Sequence, residues 1–447
     1  MRRTIDAIPM RTTIRTILGA AALLAAMPLS AAVRGDEPVA VPSSIRQGID
    51  FVYVDPEMST VAKRRQKPQN WLRRVLSFDW LTGDDDRRGN AANPIFVQFG
   101  QGLQQYQATW GRLPQGKVAA GPVLKRGSTG KRVEALRTRL GLLPRGGYDE
   151  ALQRRVAEYQ HVHGLDADGV AGRMTIASLN DGAEHYARRI AINMERAWRL
   201  PRVGTFERYV IVDSGIAEAY LYEDDRFAEG MRVIVGSSKT KTPMMAVLMR
   251  NARANPYWNV PPDMIADLTA KRVLNQGTAY LKNFHYEVLS DWTPGAQVVD
   301  PKTINWKDVA AGKELDDGAY GIRVRQLPGP WNSMGEMKFE MPNEYGIYLH
   351  DTPVKELFAQ DDRWISNGCI RLEDYRRFAS WVFGSVPQTN SEAEQVIPLR
   401  RPVPIYMTYF TISPAANGVI FRPDPYGFDE LAMPQMFNGE SQLASAS

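Results

Sequence analysis

The spacing of apolar residues changes between residues 200 and 209, and that change constrains the fold more than any other feature. Before it, Ile190, Met194 and Trp198 recur at helical spacing in a segment, 183–204, that reads as a connecting helix. After it, Tyr209-Val-Ile-Val, Ala219-Tyr-Leu-Tyr, Met231-Arg-Val-Ile-Val and Ala246-Val-Leu-Met are short β-type runs separated by turn residues. Such turn-linked strands predict a mainly antiparallel β domain over 205–412, so the fold class is α+β. A Pro-rich corner at 255–262 and a helical stretch, 264–274, interrupt the strands and mark an insertion over about 256–324. A last strand pair is expected around 403–410 and 419–422. The extension 413–447 is expected to fray beyond Met433, where Ser, Ala and Gln accumulate.

Within the β region, Tyr345-Gly-Ile-Tyr-Leu-His350 reads as a short strand, with Ile347 and Leu349 alternating against Tyr348 and His350. A loop leads to Ser366-Asn367-Gly368, small and turn-forming residues suited to a sharp bend just before Cys369, and a helix follows over 373–383. A free cysteine thiol, with a pKa of about 8.5, is mostly unreactive at neutral pH. A histidine in reach takes its proton and a nearby Arg371 favours thiolate, while backbone amides of the Gly368-Cys369 turn face the oxygen of an attacked carbonyl. The competing reading is a small buried Cys369 and a strand histidine satisfied by its surroundings.

The cysteine count weighs between the two. Cys369 is the only cysteine of the chain. Arg2, Arg3, Arg11 and Arg15 precede a short Ala/Leu-rich run, 17–29, and small residues at 30–32, the pattern of a secretory signal peptide over 1–32. A lone thiol outside the cytoplasm makes no internal disulfide and is treated as reactive. No later apolar run approaches the length of a membrane span, so no transmembrane segment is expected after signal cleavage. The net charge of +5, from 55 basic and 50 acidic residues without a long basic tract, does not read as nucleic-acid binding; it is compatible with an anionic polymer such as cell wall. The five histidines are scattered and show no metal-ligand spacing, so no metal and no organic cofactor is expected.

Upstream, 33–122 reads as linker with a helix around Leu103, Tyr106 and Trp110. The segment 123–182 has a compact three-helix pattern. Val133, Leu136 and Leu140 share one face, Asp149 caps a second helix bearing Leu152, Val156 and Tyr159, and a third helix runs through Thr175, Ile176 and Leu179. His161 and His163 are read as packing or surface residues.

The residues H-D-T-P at 350–353 and S-N-G-C-I-R at 366–371 resemble the catalytic motif of the L,D-transpeptidase (YkuD) family, most nearly its YcbB-type branch. The motif L-K-x-G-S-x-G-x-x-V-x-x-L, followed by Y-Q-x-x-H-G-L-x-x-D-G-x-x-G-x-x-T, resembles the peptidoglycan-binding-like domain that often accompanies it. The resemblance implies a periplasmic, wall-associated enzyme with a YkuD-like catalytic domain. It implies Cys369 as acyl-forming nucleophile, His350 as base, and Arg371 holding site and substrate. Gly368, Tyr348 and Asn367 are candidates for the oxyanion and substrate pocket, although many members have His where Asn367 stands. By the same analogy the insertion caps the site, and Tyr257 and Trp258 either line the cleft or pack a corner. Asn332, Gly335 and Lys338 are candidates for turn-making and surface roles before they are candidates for catalysis.

The implied partners are peptidoglycan stem peptides, with glycan strands met by the N-terminal helical domain, in cell-wall biogenesis and cell shape. The implied reaction forms 3→3 crosslinks. Hydrolysis of the acyl-enzyme, giving a carboxypeptidase or endopeptidase, and a lapsed wall-binding scaffold stay open as alternatives.

Overall fold

The computed structural model describes residues 46, 48–56, 58, 92–312, 321–388, 393–416 and 418–444, with side chains to 437. The predicted signal segment and most of the predicted linker lie outside the described residues. Among the described residues no helix is long and apolar enough to cross a membrane.

The β region is a sheet that closes on itself. Met245–Ala254 pairs antiparallel with Gln395–Thr408, which pairs parallel with Arg208–Asp213. Glu218–Glu223 and Arg226–Gly236 follow by antiparallel pairing, then Ile370–Leu372, Leu349–His350 and Met337–Glu340. Met337–Glu340 pairs back onto Met245–Ala254, which completes a barrel. Antiparallel pairings predominate, but the pairing of Leu349–His350 with Ile370–Leu372 is parallel.

The two-residue period of the strands divides the core. Val210, Val212, Val247, Phe339, Leu349 and Ile370 point into the barrel, all buried. Tyr209, Ile211, Ala246, Leu248 and Tyr406 point out, onto the helices Pro94–Thr109 and Arg173–Ala197. Asn93 starts the first of these helices by accepting the Ile95 N–H at 3.0 Å, with Pro94 at its first position. The second is broken at Gly182, whose φ of 86° and ψ of 160° end one helix and begin another, so the third helix of the small domain and the connecting helix are separate.

The other two helices of that domain are Lys131–Arg139 and Glu150–Val162, the latter capped by Asp149 accepting the Leu152 N–H at 2.9 Å. Gly164, at φ 70°, lies so close to the Phe421 carbonyl that any Cβ would collide with it. The small domain is thereby packed against the hairpin Ile412–Ala415 and Gly418–Phe421.

That hairpin corrects one expectation. Residues 403–408 are central in the barrel and do not pair with 418–421, which instead pairs with 412–415 on the outer layer. A second correction concerns the C-terminus, where Phe428–Ala444 is helical and Phe437 is buried. It is fixed by Asp429, which accepts from buried Arg196 at 2.7 Å, Arg189 at 2.9 Å and the Thr411 hydroxyl at 2.6 Å. These donors hold the Asp429 carboxyl low although burial opposes it.

Residues 256–324 do interrupt the barrel. Trp258–Asn259, Tyr286–Leu289 and Arg323–Gln326 form a separate three-stranded sheet, and Val260, Ile265, Val273, Tyr280, Val288 and Val324 give it its own core. Trp258 packs against that core, and the Arg325 guanidinium lies 4.2 Å from the Tyr257 ring centroid.

Candidate active site

Two local devices deliver the site residues. The Asn343 side chain accepts the Tyr345 and Ile347 N–H groups at 3.0 and 3.1 Å and donates to the Ile347 carbonyl at 2.7 Å, shaping the chain just before Tyr348 and His350. On the other side, Ser366 closes the bend. Its hydroxyl donates to the Cys369 carbonyl at 2.7 Å and accepts the Gly368 N–H at 3.1 Å. Gly368 sits at φ 109°, a conformation suited to glycine, and its carbonyl accepts the Thr242 hydroxyl at 2.8 Å. Thr240 donates to the Ser366 carbonyl at 2.9 Å.

Strand register then aligns the chemistry. Leu349 pairs with Ile370 and His350 with Arg371, while His350 also pairs with Lys338 on its other side. Since Leu349 and Ile370 point inward, Tyr348, His350, Cys369 and Arg371 share the outward face. Diagonal neighbours on adjacent strands lie about 7–8 Å apart, a span side chains bridge, and Cys369 and His350 are in that relation. Lys338, His350 and Arg371 form a row of three, with Tyr348 and Cys369 on the next step. The Lys338 ammonium lies 3.8 Å from the Tyr348 ring centroid.

Hydrogen bonding fixes which imidazole nitrogen is open. His350 Nδ1 lies 2.5 Å from the Asp351 carbonyl, an acceptor only, so Nδ1 carries the proton and Nε2 is the basic nitrogen. Among the described residues nothing hydrogen-bonds Nε2. Asp351 is itself anchored through its own N–H to the Met337 carbonyl at 2.9 Å and through its carboxylate to the Glu336 N–H at 2.9 Å and the Lys355 ammonium at 2.5 Å.

Burial lowers the His350 pKa to about 3, and Arg371 and Lys338 add to the effect, so the imidazole is neutral at neutral pH. Burial also pushes the half-buried Cys369 thiol up, while the Tyr348 N–H, Lys338 and Arg371 pull it down without overcoming burial. The Cys369 S–H faces the Gly346 carbonyl at 3.6 Å. The resting pair is therefore a thiol beside a neutral base. The sequence-based expectation of a thiolate already favoured by its neighbours omitted the cost of desolvation.

Of the two amides considered for an oxyanion pocket, Gly368 N–H is held by Ser366, whereas Cys369 N–H meets no acceptor among the described residues. Arg371 is largely buried, its Nε has no partner, and burial lowers its pKa. Asn367 is exposed and donates through Nδ2 to the Met264 sulfur at 3.3 Å, which joins the bend to the insertion. Among the described residues no three metal-ligating side chains converge.

Sequence reading missed Lys338, Asn343 and Thr242. Lys338, a turn or surface candidate ahead of a catalytic one by sequence, has a side chain only 16% exposed and stands directly opposite His350. Asn332 and Gly335 do make a turn: Asn332 donates to the Pro256 carbonyl at 3.0 Å and accepts the Met334 N–H at 2.7 Å, and Gly335 has φ 63°.

Residues 207–405 match the model described as "L,D-transpeptidase catalytic domain". Over residues 207–405, therefore, the barrel matches the YkuD catalytic domain. Residues 130–179 match a "Putative peptidoglycan binding domain". A curated relative from Haemophilus influenzae, described as "Putative L,D-transpeptidase", is 30% identical over 271 residues, 58% of this chain and 52% of its own length. The chain thus spans about half the length of that relative.

Among solved structures, an L,D-transpeptidase from Mycobacterium smegmatis is 13% identical with a TM-score of 0.23, over 45% of this chain and 58% of that one. One from Stackebrandtia nassauensis is 14% identical with a TM-score of 0.21, over 66% and 98%. Neither superposition is close enough to carry over detail.

Proposed function

We propose that this chain is an exported peptidoglycan L,D-transpeptidase that joins stem peptides by 3→3 crosslinks through a Cys369 acyl-enzyme. The observation that carries the reading is the shared face of Cys369 and His350, with Nδ1 committed to the Asp351 carbonyl and Nε2 left as base.

In the first half-reaction Nε2 takes the thiol proton as sulfur attacks the carbonyl joining the third stem residue to a terminal D-alanine. The Cys369 N–H faces the developing oxyanion, and the imidazolium protonates the departing amine as the C–N bond breaks. The carbonyl carbon is left as a thioester. In the second, a side-chain amine of a neighbouring diamino-acid residue attacks the thioester, His350 removes its proton, and the sulfur leaves as thiol. Proton transfer of this kind typically contributes about 10²- to 10⁴-fold. A pair that rests neutral suits it, because charge separates only as the bond forms. Arg371, with an unpaired Nε beside the sulfur, takes a substrate carboxylate. The peptidoglycan-binding-like domain holds the chain on the wall, and the insertion, touching Asn367 through Met264, caps the cleft.

Incubation of the purified protein with tetrapeptide-rich sacculi, followed by muropeptide analysis, tests the reading. It predicts 3→3 dimers, absent with Cys369→Ala. Shortened stems without dimers would instead make water the acceptor, and no change in either species would leave a binding protein.

A further inference from the structure

Lys338 occupies a place in the site that neither the motif nor the family match assigns. It lies on Met337–Glu340, directly opposite His350, so His350 has a cation on each side across the sheet, Lys338 on one and Arg371 on the other. Its ammonium sits over the Tyr348 ring, whose strand position is next to Cys369. Glu340 holds it at 3.5 Å, and Glu340 is itself bound at 2.6 Å by Arg253, which also reaches Glu394 at 2.9 Å. Keeping an ammonium this buried is unfavourable, and a purely structural lysine at this position would be replaceable by an apolar side chain stacked on Tyr348.

We infer that Lys338 is a positioning residue that acts through Cys369, supplying positive potential to the sulfur as it becomes anionic. The inference rests on the reading of Cys369 as the reacting atom and deepens it. Electrostatics agrees in direction: Lys338 and the thiol each shift the other toward its charged form. Opposite charges in a poorly solvated site attract far more strongly than in water. The other groups facing the sulfur are accounted for. His350 is neutral, Arg371 is a fixed cation, and Tyr348 lies under Lys338. Arg253, Glu340 and Glu394 form the ion-paired cluster behind Lys338, and Asp351 and Lys355 pair with each other beyond His350. Ile234, opposite Arg371, and Thr240, Thr242 and Met264 carry no charge.

The test uses the single cysteine of the full chain. The rate of Cys369 alkylation by iodoacetamide is followed against pH, with intact mass as readout, in Lys338→Met, Lys338→Arg and Glu340→Gln. Lys338→Met is expected to move the alkylation midpoint upward by about one pH unit, slowing the reaction about tenfold at fixed pH, and Lys338→Arg to restore most of it. Glu340→Gln, which removes the negative partner, is expected to move the midpoint the other way.

An unmoved midpoint in Lys338→Met, or a shift of the same sign in Lys338→Met and Glu340→Gln, overturns the inference. The opposite-sign comparison also covers the case in which one variant folds poorly. Muropeptide assays on the same proteins separate the two readings: an alkylation shift without wall chemistry sustains Lys338 and sinks the transpeptidase, and the converse sinks Lys338 alone.

Discussion

His163 in the N-terminal helical domain and His350 in the barrel are both buried, and burial lowers each imidazole to a pKa of about 3. They differ in what their nitrogens do. His163 Nδ1 donates to the Tyr159 carbonyl at 2.7 Å, and Nε2 accepts the Tyr106 hydroxyl at 3.0 Å. The ring also stacks on Tyr159 at 3.7 Å between centroids and meets Tyr186 edge-on at 4.5 Å. Every valence of that imidazole is spent on packing. His350 uses one nitrogen for position and keeps the other open on a face shared with a thiol. A depressed pKa in a buried histidine therefore does not identify a functional group; the hydrogen-bond count does.

Exchange of roles should be impossible, and the largest expected effect tests it. His350→Gln should reduce crosslinking by about 10²- to 10⁴-fold with little change in melting temperature, since the loss is of a base and not of core. His163→Ala should do the reverse. It leaves a cavity and strands the Tyr106 hydroxyl, while the Tyr159 carbonyl keeps the backbone N–H of residue 163 at 3.0 Å, so destabilisation of about 2–4 kcal/mol is expected by urea titration, with activity per folded molecule retained. Loss of activity in a folded His163 variant, or a large drop in melting temperature for His350→Gln, would erase the distinction between the two sites.

The same contrast explains how much was legible beforehand. Helical spacing in 131–197 and strand alternation in 208–254 follow from which face each residue buries, a local property, and these elements were readable. His163 was readable only as a packing or surface residue, and its burial among Tyr159, Tyr106 and Tyr186 decides for packing. His350 and Cys369 became a pair through a motif, while the geometry that makes them one depends on a parallel pairing of two short strands distant in sequence. Lys338 was lost for that reason. Its alternation between Met337 and Phe339 shows it faces away from the barrel interior, but not that His350 stands opposite. The register of 418–421 against 412–415 was equally invisible, because two short apolar strands carry no label for their partner. Desolvation of the thiol also escaped notice, since sequence shows the neighbouring charges and not the burial that opposes them.

Acid titration sharpens the comparison with a smaller effect. An imidazole whose folded pKa is about 3 against an ordinary 6.5 contributes stability that is complete above 6.5 and is lost as pH falls toward 3. Asp213 acts oppositely. Burial raises its carboxyl to about 7, so its contribution is complete below 3.8 and is lost as pH rises through 7. Two strongly depressed histidines, with His185 lowered by burial in the same direction, outweigh one aspartic acid and leave a net loss of stability as pH falls from about 6.5 to about 4. His163→Ala should make the urea midpoint clearly less steep over that window, and Asp213→Asn should steepen it. A His163→Ala slope as steep as that of the parent would mean that His163 is not kept neutral by the fold.

The smallest expected effect lies wholly within the barrel and asks whether the bend, as well as the imidazole, is specialised. Thr242 is fully buried; its hydroxyl accepts the Gly236 N–H at 2.9 Å and donates to the Gly368 carbonyl at 2.8 Å. Thr242→Val keeps the shape and removes both bonds, so the peptide that carries the Cys369 N–H loses the hydrogen bond that holds its carbonyl. A destabilisation of about 1–3 kcal/mol follows from two stranded backbone groups, together with a several-fold fall in acylation rate from a less well-aimed oxyanion donor, far short of the about 10²-fold or more that removal of a whole donor costs. Thr242→Ser rebuilds both bonds and should recover the rate. The acid slope should not move, because Thr242 does not titrate and touches neither histidine. If Thr242→Val is less stable but acylates at the parent rate, then Ser366 and the backbone of Gly368 alone hold the bend, and Thr242 belongs with His163 among the residues that only pack.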